Sequence, residues 1–183
     1  MNDIPSRSTD LSADIRRLQN RIEELGRVGA IASGGVSRLA LTNEDRDGRD
    51  LVVRWMRDLG LSIQVDQIGN VIGSRAGILD SPPIIIGSHI DSVATGGLYD
   101  GALGVLAGLE AIQTLNDANL KTQYPIAVSF FTNEEGVRFT PDMMGSAVHQ
   151  GSLPLETALE TVGTDGQTVG AELTRIGYAG DIP

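Results

Sequence analysis

Two stretches of this sequence, GSHIDSVATGGLYDG (residues 87–101) and FFTNEEGVRF (residues 130–139), carry side chains that can hold a cation or move a proton. The first supplies His89, Asp91 and Asp100 and the second Glu134 and Glu135. In extended backbone, residues two apart point to the same side, so Asp91 can stand behind His89 and accept its imidazole N–H. Asp100 lies among glycines just before a helical pattern, where a carboxylate can bridge two cations through its two oxygens. Glu134 and Glu135 point in different directions, so one can ligate a metal while the other faces a metal-bound water. That division of labour is what metal-assisted hydrolysis needs. Taken singly, each residue also has a plainer reading. Asp100 could be a helix N-cap, Asp91 a turn residue, and the glutamates a solvated pair. His149, in MMGSAVHQG, reads as a surface or packing residue, and Arg138 and Phe139 as substrate contacts or packing.

The elements that must bring these side chains together follow from hydrophobic period. Leu11, Ile15, Leu18, Ile22 and Leu25 recur at steps of four and three and predict an amphipathic helix ending at Gly26. Thr42 with Asp45 predicts an N-cap. Leu51, Val52, Trp55, Met56 and Leu59 form the stripe of a second helix that stops at Gly60. Residues 61–66, LSIQVD, alternate as a half-buried strand, and GNVIGSRAG predicts a second strand ending in a turn. PPIIIGSH and YPIAVSFFTN are continuous apolar runs, as in strands covered on both faces. The run GALGVLAGLEAIQTLNDAN between them predicts a helix with small residues along one side. This strand–helix–strand unit predicts an α/β domain with a mixed, mostly parallel sheet and helices on both faces. Ligands collect at the carboxyl ends of such strands, where the five side chains would meet if the two strands are neighbours. Short helices joined by glycine-bearing turns are expected after residue 140, and residues 1–10 read as a polar lead.

Composition narrows the chemistry. The chain has no cysteine, so thiolate catalysis, disulfides and zinc–thiolate sites are excluded, and a metal must be held by His, Asp or Glu. The 14 basic and 24 acidic residues give a net charge of -10, with no basic stripe for a nucleic-acid backbone or an anionic membrane. A hydrophobic content of 40% fits a globular protein, and no apolar run reaches the ~18 residues of a membrane span. With no signal-peptide pattern at the start, the expected location is cytoplasmic.

GSHIDSVATGGLYDGALGVLAGLEAI, FTNEEGVRF and MMGSAVHQG together closely resemble the dinuclear-metal peptidase and amidohydrolase family. The similar branch contains N-carbamoyl-L-amino-acid hydrolases, allantoate amidohydrolases and β-alanine synthases, and the helix from Leu11 and the GNVIGSRAG hairpin fit it too. The resemblance implies a zinc-peptidase-like catalytic domain holding two divalent metal ions: zinc, with manganese or cobalt as alternatives. His89 would ligate one metal, Glu135 the other, and Asp100 would bridge both. Asp91 would orient His89, and Glu134 would be the general base. The implied reaction is hydrolysis of a non-peptide C–N bond, in a carbamoyl, ureido or amidine group, on a small amino-acid-like molecule by a homodimer.

Members of that family are considerably longer and bring further metal-ligating histidines from later in the chain. Residues 1–183 are therefore expected to be the N-terminal part of the catalytic domain, without the rest of that domain or the dimerisation domain, and inactive alone. Two competing readings stay open. One is a non-catalytic subunit that acts through a partner, and the other is a metallo-aminopeptidase cleaving true peptide bonds.

Overall fold

The computed structural model describes residues 11–183, so the polar lead read over residues 1–10 lies outside the described residues. Helix α1 spans Ile15–Gly26 and starts later than its apolar pattern. The Asp14 carboxylate accepts the backbone N–H groups of Arg16 and Arg17, and that cap fixes the start; Leu11 stays outside, 46% exposed. Helix α2 spans Asn43–Asp58 with Thr42 as its cap. It stops as its sequence predicts. Gly60 adopts φ +77°, the Leu61 N–H returns to the Met56 carbonyl at 3.0 Å, and the Gly60 N–H reaches Arg57.

Four strands follow: β1 (Ser62–Val65), β2 (Val71–Arg75), β3 (Ile84–Ser88) and β4 (Ile126–Phe130), with helix α3 (Ala102–Asp117) between the last two. They form one sheet in the order β1-β2-β4-β3. The sheet is mixed, as expected, but its balance differs from the mostly parallel arrangement predicted. The β1–β2 and β2–β4 pairings are antiparallel, and only β3–β4 is parallel. The cause is local: the turn after Val65 folds β2 back on β1, whereas β3–α3–β4 alone has a crossover long enough to return a strand in parallel.

Small residues set how the helices approach. Gly73, Val128 and Ile86 lie side by side across three strands. A side chain at Gly108 of α3 would meet Val128 and Ile86, and one at Gly73 would meet Met56 of α2. Both helices therefore seat on the same sheet face, with α1 packed on α3, so the long helices crowd one face instead of dividing between two. Strand β3 also departs from the doubly covered reading. Among the described residues it pairs only with β4, leaving Ile84 58% and Ile85 41% exposed. A continuous apolar run shows no alternation whether its strand is central or at an edge, so period could not have told the two apart.

Glu110 ties α1 to α3. Its side chain is only 1% exposed and takes two bonds from the Arg17 guanidinium, at 2.8 and 2.7 Å, and one from the Asp14 N–H at 2.8 Å. Burial alone would raise its pKa, but the Arg17 bonds dominate and hold it below the ordinary glutamate value. Glu110→Ala should lower stability by about 2–4 kcal/mol, since it strands a partly buried guanidinium and frees the α1 cap. Urea unfolding of the two proteins checks this; an unchanged midpoint would contradict it.

After β4 the chain forms α4 (Met144–His149), α5 (Leu155–Glu160) and α6 (Val169–Ile176), the short helices expected from the glycine-bearing turns. Arg49 is 1% exposed in the centre of the molecule. It pairs with Asp45 at 2.8 Å, reaches the Gly69 carbonyl at 2.8 Å and lies over the Phe130 and Tyr178 rings. No helix among the described residues is long and apolar enough to cross a membrane.

Candidate metal centre

Because Ser88 lies beside Phe130 in a parallel pair, the segments leaving β3 and β4 emerge at the same carboxyl rim. Phe131 continues the ladder by donating to the Ser88 carbonyl at 2.9 Å. His89 and Asp91 then turn inward and are 5% and 3% exposed, while Glu134 and Glu135 are half-buried opposite them.

The His89 ring fixes the chemistry. Its Nδ1 stands 2.9 Å from the backbone carbonyl of Asp91. A carbonyl can only accept, so Nδ1 carries the hydrogen, and in the neutral ring Nε2 presents a bare lone pair. That lone pair faces the Glu134 carboxylate at 3.3 Å and Asp100 Oδ1 at 4.0 Å. Acceptors facing one another across such distances call for a proton or a cation between them.

Asp100 is not a helix cap. The N-cap of α3 is Gly101, no side chain caps the helix, and the Asp100 carboxylate is 76% exposed toward the rim. Gly101 has φ +62°, and a Cβ there would lie 2.4 Å from His89 Cε1 and Nε2. This glycine is what lets the aspartate turn pass over the imidazole.

Asp91 does something the sequence did not suggest. Its carboxylate is 3.7 Å from His89 Nδ1, too far for the direct bond expected of it, because its own backbone carbonyl takes that place. The carboxylate instead accepts the backbone N–H groups of Glu134 and Glu135, at 3.3 and 3.2 Å. It staples the two loops together. Burial and the charge of buried Asp45 push it up to about 6, offset in part by His89 and these two N–H groups. The Glu135 pKa is also raised, first by burial and then by the neighbouring negative charges of Asp100 and Glu134. The nearby His89 acts in the opposite sense.

The loop bearing the glutamates is shaped by residues without a role in the sequence reading. Asn133 adopts φ +52° and donates from its side chain to the Phe139 and Pro141 carbonyls, closing the loop. Met143 and Met144 donate to the Glu134 and Asn133 carbonyls, so the loop rests on the start of α4. Under the other loop, the buried Arg38 donates to the carbonyls of Ile90, Leu25 and Val28. A lone arginine in RLALTNED gives no periodic signal, and only its fixed burial reveals it. His149, exposed on α4, lies against Phe131 with ring centroids 5.8 Å apart and lines a separate cavity of about 330 Å³ with Asp66 and Leu153, in keeping with its reading as a surface or packing residue.

The donor types suit a divalent cation: one imidazole with a directed lone pair, the Glu134 and Asp100 carboxylates facing it, and no thiolate. The cluster is open. Among the described residues, no three His, Asp or Glu side chains stand together closely enough to hold a metal ion.

Comparison with known proteins gives consistent neighbours. Residues 70–157, spanning both loops, match Peptidase family M28. The chain is 43% identical over 178 residues to an N-carbamoyl-L-amino-acid amidohydrolase of Rhizobium meliloti, covering 97% of this chain and 42% of that protein. It is 45% identical over 166 residues to one of Geobacillus stearothermophilus, covering 90% of this chain and 40% of that protein. The crystal structure of a hydantoinase/carbamoylase family amidase from Burkholderia multivorans superposes with a TM-score of 0.94 at 50% identity, over 95% of this chain and 43% of that one. The chain thus spans about two-fifths of the length of the curated relatives it matches.

Proposed function

We propose, from the premise that this chain is homologous over nearly its whole length to part of the N-carbamoyl-L-amino-acid amidohydrolases, that it supplies one side of a metal-dependent amidohydrolase site. The substrate class is a small amino-acid-like molecule bearing an N-carbamoyl or ureido group. The observation that carries the reading is the meeting of His89 Nε2 with Glu134 and Asp100 at one rim.

His89 would hold one of two divalent ions, zinc in our reading, with Glu135 on the other and Asp100 shared between them. Such ions, when bound, lower the pKa of a water and polarise the substrate carbonyl. The protein's own contribution is positional and acid–base. Asp91 fixes Glu134 and Glu135 through their backbone N–H groups and does not engage their carboxylates. Glu134 takes a proton from the attacking water as its oxygen bonds to the carbamoyl carbon. It then returns that proton to the leaving nitrogen as the C–N bond breaks, releasing the amine and a carbamate. Several negative charges at the rim make the centre depend on its cations. By itself the 183-residue chain is expected to bind metal weakly and turn over nothing, since its open cluster gives each ion few protein ligands. Our reading of the whole protein is a cytoplasmic homodimer acting on a small molecule.

The test is substrate choice by the natural polypeptide that carries this stretch. N-carbamoyl-L-amino acids should be hydrolysed with added Zn²⁺ or Mn²⁺, and activity should disappear on chelation. Faster cleavage of dipeptides would replace this reading with an aminopeptidase.

A further inference from the structure

We propose that Arg138 is a positioning residue that sets the distance of the Glu134–Glu135 loop from His89; this deepens the amidohydrolase reading and rests on it. Arg138 follows Glu134 by four positions, yet its side chain turns away from the rim and is 7% exposed. Its guanidinium donates to the Ala40 carbonyl at 3.0 Å, to Asp165 at 2.7 and 3.2 Å, and to Glu172 of α6 at 2.5 Å. It also lies 4.9 Å over the Phe139 ring. Each face of the fork is spoken for, a geometry that a lysine's point charge cannot copy.

The significance lies in what Ala40 belongs to. Two residues earlier, Arg38 exchanges backbone bonds with the other loop. Its N–H donates to Ser92 Oγ at 2.9 Å, its carbonyl accepts from the Ser92 N–H at 2.9 Å, and its side chain holds the Ile90 carbonyl. One residue on, Leu41 accepts from Arg175, which itself grips Glu172 at 2.7 and 2.8 Å. Residues 38–41 therefore form a tie bar. One end is bonded to the histidine loop, and the other is bonded to the glutamate loop through Arg138 and to α6 through Arg175. The two halves of the centre are referenced to the same short piece of backbone, and Arg138 is the link on the glutamate side.

Zn²⁺ titration and ¹⁵N NMR of the 183-residue chain test this together. The two histidines make the imidazole signals simple to assign, with His149→Gln identifying the His89 pair. In Arg138→Lys the expected result is a native far-ultraviolet spectrum, shifted Glu134 and Glu135 amide resonances, and at least tenfold weaker Zn²⁺ binding, the range found when groups supporting metal ligands are altered. Glu172→Gln keeps the shape and removes one anchor, so it should move the same two amides even if Arg138→Lys fails to fold. Native-like Arg138→Lys or Glu172→Gln protein with unmoved amides and unchanged Zn²⁺ affinity would overturn the proposal. If the isolated wild-type chain binds Zn²⁺ too weakly for comparison, the amide shifts alone decide the role of Arg138, and loss of activity of the natural polypeptide on chelation decides the metal reading.

Discussion

Gly101→Ala should cost the chain its His89-dependent metal binding, although alanine adds a single carbon. The new Cβ would stand 2.4 Å from the imidazole, well inside contact distance, so either the ring or the Asp100 turn must move. The backbone there is also left-handed, φ +62°, which adds strain of about 1–2 kcal/mol for any residue with a side chain. Displacing a group at a reacting centre by about 1 Å can cost about a hundredfold in activity. The expected outcome is therefore at least hundredfold lower activity in the natural polypeptide, a lost Zn²⁺ response of the His89 NMR signals, and a modest fall in unfolding midpoint. Wild-type Zn²⁺ binding by Gly101→Ala would show that Asp100 and His89 do not share an ion.

The second large effect separates the adjacent glutamates. If Glu134 moves protons and Glu135 holds metal, Glu134→Gln should lower kcat by about 10²–10⁴-fold while leaving metal content near wild type. Glu135→Gln should lose metal first and activity as a consequence, with partial recovery at high metal concentration. Glu134 already points its carboxylate at His89 Nε2, whereas Glu135 is the one whose pKa burial and two neighbouring carboxylates raise. A divalent charge would relieve that repulsion. Kinetics and metal analysis of both variants check the assignment, and reversed behaviour would exchange the two roles.

Much of this was legible in the residues before any coordinates. The helix stops at Gly26 and Gly60, the βαβ unit and the two rim loops follow from period, caps and glycine placement, which are local signals. The strands' partners were less legible. Val71–Arg75 joins β4 in antiparallel fashion, and nothing in its own pattern says so, because pairing is decided by residues more than fifty positions away. The same limit explains Asp91. Its spacing from His89 correctly suggested a partnership, but the imidazole chose the carbonyl, and the carboxylate went to two backbone N–H groups of another loop. The buried arginines 38 and 49 were illegible for a further reason. Charged residues are read as surface by default, and only the hydrogen bonds their guanidinium groups make in three dimensions render their burial tolerable.

The central claim is that His89, Asp100 and Glu135 hold the cations while Glu134 stays free to carry a proton. Anomalous diffraction at the zinc edge, from crystals of the natural polypeptide grown with Zn²⁺, tests it most directly. Two peaks are predicted, one against His89 Nε2 and one against Glu135, both within bonding distance of Asp100 and neither bonded to Glu134. Zinc bound through Glu134, or found only beside Asp66 and His149, would contradict the account.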